Sequence, residues 1–158
     1  MLAVRDIMQT DVVTVTTDAT ARCLARLLAD GQISGVPVLD GNGELAGVVS
    51  STDLVRLAAD GSGVPPDPYG YFLSEDLPFD GRRFLDELPE SDFDTVTVGE
   101  IMTPVSFSVE PETPLPELCE FLVRGRIHRA VVVEDGQLVG IVTTVDVLRA
   151  VGEHGVAA

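Results

Sequence analysis

The sequence predicts an α/β (α+β) fold made of two β-α-β-β-α repeats, related by pseudo-two-fold symmetry, with an irregular insert between them. Two observations predict it: the chain repeats itself, and both copies show the same order of strand-like and helix-like segments. At 158 residues and 45% hydrophobic content, the chain is long enough to bury a core. The expected divisions are residues 1–59 (repeat 1), 60–97 (insert), 98–152 (repeat 2) and 153–158 (C-terminal tail).

The internal repeat becomes visible when the chain is shifted by 94 residues, or by 93 after one residue is dropped in the turn following Asp40. Fifteen identities then align in order, and the only gap falls in a turn, which indicates duplication. The identical positions in the first copy are Val4, Ile7, Met8, Val15, Leu24, Leu28, Gly31, Ile33, Val38, Gly43, Leu45, Gly47, Val49, Asp53 and Arg56.

The first copy begins with a strand-like run over residues 12–15. Thr17 and Asp18 are good capping residues for a helix over residues 19–29, and Gly31 is expected to end it. Residues 36–39 and 45–49 predict two strands joined by a hairpin turn at 40–43, whose residue types tolerate positive φ. A helix over residues 52–59 closes the copy.

The second copy follows the same course. A strand over residues 107–109 leads to Thr113, expected to cap a helix with Pro114 at its first position. Strands at 130–133 and 138–142 flank a turn at Asp135 and Gly136, and a helix at 146–151 ends the copy. The tail from His154 onward is expected to fray.

The insert is rich in proline, at positions 65, 66, 68, 78 and 89, and contains six of the chain's eight aromatic residues. These are Tyr69, Tyr71, Phe72, Phe79, Phe84 and Phe93. Because a disordered linker would be poor in aromatics, we expect the segment to pack on something, with a short helix over residues 82–88. It either covers its own module or forms a docking surface or ligand lid.

Several spaced motifs resemble those of a known family. Residues 6–8, 34–38 and 47–53 are similar, in order, to one CBS domain, and residues 100–104, 128–133 and 140–146 are similar to a second. Two such domains in tandem form a Bateman module. The resemblance implies binding of adenine nucleotides or related adenosyl ligands in clefts between paired sheets. AMP, ADP, ATP, S-adenosylmethionine and NAD are the candidate ligands, and no cofactor is obligatory.

The resemblance also implies which residues hold the ligand. Each copy has a strand-to-helix junction ending in an acid, Asp53 or Asp146, which matches the position that binds ribose hydroxyls in the family. His128 and Arg129 are similar to the phosphate-contacting pair in the γ subunits of AMP-activated protein kinase. The remaining expected ligand-binding residues are Val13, Gly35, Val36, Pro37, Ser50, Phe107, Ala130 and Thr143.

Simpler interpretations stay open for these residues. Each Asp could merely cap its helix, and His128 with Arg129 could be a surface pair that bridges to nearby acids. The first copy has Ser34 and Gly35 where the second has the cationic pair, so we expect at most one strong site for a phosphorylated ligand. No catalytic arrangement and no metal-ligand spacing is recognisable, so we expect neither an enzyme nor a metal site.

The charge and cysteine content limit the partners and the location. A net charge of −16 argues against nucleic acid or an anionic membrane as partners. Lys is absent, which would suit either a salt-rich cytoplasm or a GC-rich genome. Cys23 and Cys119 are expected to be buried or half-buried free thiols. With no apolar run long enough for a membrane span and no signal peptide, we expect a cytoplasmic protein.

Two functions from different classes are compatible with the sequence. One is a stand-alone regulatory module that binds an adenosyl ligand and signals to an unknown protein target by changing conformation. The other is a ligand-free scaffold that docks a partner through the aromatic insert. We also expect a homodimer that buries the helical faces around Leu24–Leu28 and Leu118–Leu122 and the last helix of each repeat.

Overall fold

The computed structural model of the protein describes residues 1–58, 69–73, 81–86 and 93–155. In chain order its elements are α1 (Val4–Ile7), β1 (Val15–Thr16), α2 (Ala21–Gly31), β2 (Gly35–Leu39), β3 (Leu45–Ser50), α3 (Ser51–Ala58), α4 (Gly70–Leu73), α5 (Gly81–Asp86), α6 (Val98–Ile101), β4 (Ser108–Val109), α7 (Leu115–Gly125), β5 (Arg129–Glu134), β6 (Gln137–Thr143) and α8 (Thr144–His154).

The chain forms two compact units. Unit 1 combines Met1–Val12 with Phe107–Ala158, and unit 2 is Val13–Ser106. The units therefore do not follow the linear order of the sequence repeats, because the first twelve residues fold with the second copy.

Each unit contains a three-stranded sheet with the same topology. The order is β1-β2-β3 in unit 2 and β4-β5-β6 in unit 1, with the first pair parallel and the second antiparallel. A helix follows the first strand and another follows the third, which confirms the predicted β-α-β-β-α order in both copies. Both hairpins turn at a glycine with positive φ, Gly43 and Gly136, as the turn residues predicted.

The ends of helix α2 differ from the predictions. Thr20, not Thr17 or Asp18, caps α2, because its hydroxyl accepts a hydrogen bond from the Cys23 N–H at 3.1 Å. At the end of α2, Gln32 takes the left-handed conformation (φ 53°), while Gly31 remains the last helical residue. Gly31 is thus not the residue whose backbone conformation ends the helix.

The start of helix α7 and the end of helix α8 also differ from the predictions. Pro114 is the N-cap of α7 and makes no side-chain cap bond, so Thr113 does not cap this helix. The Leu115 N–H donates instead to the Leu2 carbonyl at 2.9 Å. Helix α8 runs through His154, which was expected to lie in a frayed tail; residues 156–158 lie outside the described part of the chain.

The leucine stripes of α2 and α7 face the cores of their own units. Leu24 and Leu28 are fully buried with Val36 and Phe93 in unit 2. Leu118 and Leu122 are 0% and 4% exposed in unit 1. The expectation that these leucines form a dimer interface is therefore wrong, since their apolar surface is already buried within the protomer.

Each sheet receives a short segment from elsewhere in the chain. In unit 1, Gln9 and Ile141 exchange two backbone hydrogen bonds of 2.8 and 3.0 Å. In unit 2, Val48 and Thr103 exchange two of 2.9 Å. The equivalent segments thus occupy equivalent places, each on the last strand of the sheet.

The described part of the insert packs on unit 2. Tyr71, Phe72 and Phe93 are buried, and the Phe84 ring lies edge-on to Phe93 with centroids 5.8 Å apart. These described residues pack as expected for an insert that covers its own module. The predicted helix at 82–88 is observed as α5, from Gly81 to Asp86; Phe79 and the five prolines lie outside the described residues.

Both cysteines are free thiols. Cys119 is half-buried as expected, but Cys23 is exposed, because it lies on the solvent side of α2. The expectation of a buried or half-buried thiol is wrong for Cys23.

Candidate functional site

The junction between β3 and α3 in unit 2 surrounds the Asp53 carboxylate with donors. Its Oδ2 accepts the Ser50 N–H at 2.8 Å and contacts the Ser50 hydroxyl at 3.4 Å. Its Oδ1 accepts a hydrogen bond from the Arg56 guanidinium at 3.0 Å, one helical turn further on. Asp53 is 4% exposed, so the charge is buried but well paired.

The junction between β6 and α8 repeats this arrangement in unit 1. Asp146 Oδ2 accepts the Thr143 N–H at 2.8 Å, and the Thr143 hydroxyl accepts the Asp146 N–H at 3.1 Å, which completes a capping box. Arg149 donates to Oδ1 at 3.3 Å. The Gln9 side-chain amide adds contacts of 3.3 and 3.4 Å to the two carboxylate oxygens.

Both acids therefore cap a helix, as the simpler interpretation predicted. That role uses mainly Oδ2, and a carboxylate can accept about four hydrogen bonds in all. The sequence repeat places an identical arginine, Arg56 or Arg149, three residues after each acid. The pairing of these arginines with the acids was not predicted. Gln9 gave no sequence signal, because its contact with Asp146 depends on the placement of the N-terminal segment.

The pKa of the Asp53 carboxyl is raised above 3.8. Desolvation by burial is the largest cause, because it penalises the charged form. The Ser50 N–H and the Arg56 guanidinium act in the opposite direction and stabilise the carboxylate.

Sheet register brings the predicted polar residues together within each unit. Arg129, at the start of β5, pairs with Thr143, and the Thr144 N–H donates to the His128 carbonyl at 2.9 Å. His128, Arg129, Thr143 and Asp146 thus lie at one end of the unit 1 sheet. Arg129 is 3% exposed, so the interpretation of a surface pair is wrong for this residue.

Unit 2 has the same arrangement without the cation. Gly35 pairs with Ser50, and the Ser51 N–H donates to the Ser34 carbonyl at 2.7 Å. Gly35, Ser50 and Asp53 therefore lie at the equivalent end of the unit 2 sheet, as the repeat predicted.

The expected apolar walls occupy different environments. Val36 and Ala130 are buried in their sheets, 1% and 0% exposed, so they form core rather than open surface. Val13 precedes β1 instead of lying in it and is 45% exposed. Phe107 precedes β4 and packs against Phe121, with ring centroids 6.0 Å apart.

Unit 1 also contains two open clefts along α7. One, of about 470 Å³, lies at the hairpin-turn end of the sheet and is lined by Glu110, Asp135 and Gly136 among others; none of the predicted site residues lines it. The other, of about 450 Å³, is lined by Phe107, Phe121 and neighbouring residues of α7. Of the predicted site residues, Phe107 lines this second cleft.

The described residues contain neither a candidate metal site nor a candidate membrane-spanning helix. No group of three or more His, Cys, Asp or Glu side chains in them could hold a metal ion. None of the helices described is long and apolar enough to cross a membrane.

Comparison with known proteins agrees with the repeated architecture. Residues 4–60 and 98–153 each match the CBS domain. The chain belongs to the CBS-domain family. The two matched segments correspond to the two sequence repeats, and the structural neighbours include a CBS-pair protein, CBSX2 from Arabidopsis thaliana.

Among CBS proteins, the chain is 34% identical over 125 residues to CBSX2, a chloroplastic CBS domain-containing protein of Arabidopsis thaliana. The match covers 78% of this chain and 52% of CBSX2, so the chain spans about half the length of that curated relative. A crystal structure of CBSX2 in complex with AMP is 26% identical, with a TM-score of 0.68 and coverage of 97% of this chain and 98% of that one.

A bacterial relative gives a similar match. The CBS domain of the bacterial CNNM/CorC family Mg²⁺ transporter, solved in complex with ATP, is 25% identical, with a TM-score of 0.67. The match covers 96% of this chain and 87% of that one.

Proposed function

We propose that this chain is a non-catalytic regulatory module that binds an adenine nucleotide, or a related adenosyl ligand, and signals to a protein partner by changing conformation. The observation that carries the proposal is the repeated junction, in which a buried carboxylate, Asp53 or Asp146, lies at a helix N-terminus beside the start of a neighbouring strand. Further support comes from the relatives solved with AMP and with ATP.

Ribose binding at these carboxylates is compatible with their capping role. The short bonds of 2.8 Å from Ser50 and Thr143 hold each carboxylate in place. The longer contacts, such as 3.4 Å from the Ser50 hydroxyl, are the ones that a ribose hydroxyl would replace, because they contribute least.

Phosphate binding is expected to distinguish the two units. Unit 1 offers His128 and Arg129 at the end of the sheet where Asp146 lies, whereas unit 2 offers the uncharged Ser34 and Gly35. In a protein of net charge −16, a phosphate needs cationic donors to offset repulsion. We therefore assign the stronger site for a phosphorylated ligand to unit 1.

Isothermal titration with AMP and adenosine tests this assignment. Arg129→Met keeps much of the buried volume and removes the charge, so it should weaken AMP much more than adenosine. Charge-assisted hydrogen bonds contribute about 1.5–3 kcal/mol, or roughly one to two decades of affinity. Asp146→Asn keeps one acceptor for the cap and should weaken both ligands alike. Equal losses of AMP and adenosine in Arg129→Met would contradict phosphate binding by Arg129.

The scaffold alternative has less support. The described aromatics of the insert are largely used within unit 2, although Tyr69 and Leu73 remain 46% and 43% exposed. Thermal shift with AMP, ATP, S-adenosylmethionine and NAD separates the two functions, because a ligand that binds the native state raises its melting temperature. The absence of any rise would favour the scaffold.

We further propose a homodimer formed through the terminal helices of the repeats, in a cytoplasmic protein. Helix α3 exposes Val55, and α8 exposes Val145 and Leu148, at 51%, 58% and 69% respectively. Apolar side chains at these positions would gain from burial against a second copy. Light scattering that shows a monomer at micromolar concentration in high salt would refute this.

A further inference from the structure

Two methionines occupy equivalent places in the two units. Met8 and Met102 are an identical pair in the sequence repeat. Each follows a short helix, α1 or α6, with nearly the same extended backbone angles: φ −67° and ψ 156° at Met8, and φ −65° and ψ 160° at Met102. The N–H of Met8 donates to the Val4 carbonyl at 2.8 Å, and that of Met102 donates to the Val98 carbonyl at 2.9 Å. The proposed function gives neither methionine side chain a role.

The sulfur of each methionine lies against a glycine in the last strand of its sheet. A Cβ added at Gly140 would lie 3.0 Å from Met8 Sδ, and a Cβ added at Gly47 would lie 3.0 Å from Met102 Sδ. Ordinary contacts between non-bonded heavy atoms lie at about 3.5–4.0 Å. The space between each sulfur and its strand therefore has no room for one further heavy atom.

In unit 1, this contact lies beside the hydrogen bonds that hold the N-terminal segment. Gln9 follows Met8, and it exchanges backbone hydrogen bonds of 2.8 and 3.0 Å with Ile141, the residue after Gly140. The side-chain amide of Gln9 also contacts the two carboxylate oxygens of Asp146 at 3.3 and 3.4 Å. Movement of the Met8 side chain away from β6 would therefore loosen a segment that reaches the candidate site.

We propose that Met8 is an oxidation-sensitive contact, and that conversion of its thioether to the sulfoxide releases Met8 and Gln9 from β6 and withdraws the Gln9 amide from Asp146. The oxidant is a peroxide. A sulfur lone pair takes one oxygen of hydrogen peroxide, so that an S–O bond forms, the O–O bond breaks and the second oxygen leaves as water. Sulfur loses two electrons and the peroxide gains them. Met8 is only half-buried, so its side chain is open to this small oxidant.

Release follows from the size and polarity of the sulfoxide. Oxidation adds an oxygen to a sulfur that has no room for another atom on the side of Gly140. It also converts an apolar side chain into a polar one, whose oxygen accepts hydrogen bonds and is better satisfied by water than by an apolar contact. Both effects favour the separated segment over the packed one. This inference goes beyond nucleotide binding and does not depend on it.

Peroxide treatment of the full chain tests the proposal. The chain has three methionines, of which Met1 is 95% exposed. Met102→Leu leaves Met8 and Met1 oxidisable, and Met8→Leu with Met102→Leu leaves Met1 alone as the matched control. Mass spectrometry of proteolytic peptides identifies which methionines carry oxygen. Oxidation should lower the melting temperature of Met102→Leu by roughly 2–4 °C and leave that of the double variant unchanged.

Hydrogen exchange shows whether the release is local. The amides of Gln9 and Ile141 donate the two hydrogen bonds that hold the segment, so both should exchange roughly fivefold faster or more after oxidation of Met8. The Val48 amide, which donates the equivalent bond to Thr103 in unit 2, should exchange at an unchanged rate. Met8→Gln, which places a polar side chain of similar length there, should reproduce the faster exchange without peroxide.

Three results would overturn the proposal. Met8 could remain a thioether under conditions that convert Met1 completely, which would mean that the folded protein protects it. Met8 could be oxidised with no change in melting temperature or in exchange of the Gln9 and Ile141 amides, which would mean that the sulfoxide fits against β6. Peroxide could also lower the melting temperature of the double variant by the same amount, which would place the effect elsewhere in the chain.

Discussion

Replacing Gly140 by alanine should displace the N-terminal segment from the unit 1 sheet. A Cβ at Gly140 would lie 2.7 Å from the Gln9 carbonyl oxygen and 3.0 Å from Met8 Sδ. The first distance is shorter than real Cβ contacts, and the atom it meets belongs to the backbone, which cannot rotate away. The segment or the strand must therefore move.

The expected cost follows from the bonds that this movement loosens. Gln9 and Ile141 exchange two backbone hydrogen bonds, each contributing about 0.5–1.5 kcal/mol. Alanine offsets roughly 0.5–1 kcal/mol of this, because glycine loses more backbone entropy on folding. The net fall in the free energy of unfolding should be about 1 kcal/mol, with an upper limit of about 2.5 kcal/mol. For a chain of this size, a fall of about 1 kcal/mol lowers the melting temperature by roughly 2–4 °C.

Thermal unfolding followed by circular dichroism measures the effect. Gly152→Ala is the control: no atom lies within 4 Å of its added Cβ, and alanine in helix α8 should stabilise by about 0.5–1 kcal/mol. Gly47→Ala repeats the test in unit 2, where the Cβ would meet the Thr103 carbonyl oxygen at 2.6 Å. A Gly140→Ala protein that melts at or above the wild-type temperature would refute the reasoning.

Three further perturbations test the electrostatics. Arg56→Gln removes a partner that lowers the pKa of Asp53, so a ¹³C NMR titration should show that pKa moving further above 3.8, with Arg124→Gln as an unaffected control. Because the raised pKa favours the protonated acid in the folded state, the contribution of Asp53 to the free energy of unfolding declines as pH rises through that pKa. This decline should be larger in Arg56→Gln than in the wild type. An unchanged Asp53 pKa in the variant would contradict the role given to Arg56. Molar KCl should raise the melting temperature strongly if the charge of −16 is a salt adaptation, because the Debye length falls from about 10 Å at 0.1 M to about 3 Å at 1 M; little change would favour genome composition. Gln9→Ala should tighten adenosine binding at Asp146 by roughly two- to threefold, the value of one weak hydrogen bond, and unchanged titration isotherms would count against competition between Gln9 and the ligand.

Features set by adjacent residues could be predicted from the sequence. The hairpin at residues 40–43 follows from turn-forming residue types, and Gly43 takes the positive φ that they allow. The capping role of the acid at each strand-to-helix junction follows from its position three residues after Ser50 or Thr143, because this is the spacing of a capping box. These features need no knowledge of the rest of the fold.

Features set by distant chain segments could not be predicted. Helix α2 begins at Ala21 because its N–H donates to the Val96 carbonyl, and α7 begins at Leu115 because its N–H donates to the Leu2 carbonyl. Neither partner is recognisable from local residue types. The repeat likewise shows that Met8 is identical in both copies, but it does not predict that Met8 packs against the second copy.

The two candidate sites therefore differ more than their shared motif suggests. Gln9 and Thr103 occupy equivalent backbone positions, but only Gln9 reaches a site carboxylate; the Thr103 hydroxyl lies 3.5 Å from the Val48 carbonyl. At Asp146, a ribose would compete with the amide of Gln9, whose contacts are longer than the 2.8 Å bond that holds the cap. Binding at Asp146 would thus release a side chain of the N-terminal segment, whereas binding at Asp53 would not. A regulatory module needs such a difference in contacts between its free and bound states, because a ligand shifts a conformational equilibrium only by its differential affinity for the two.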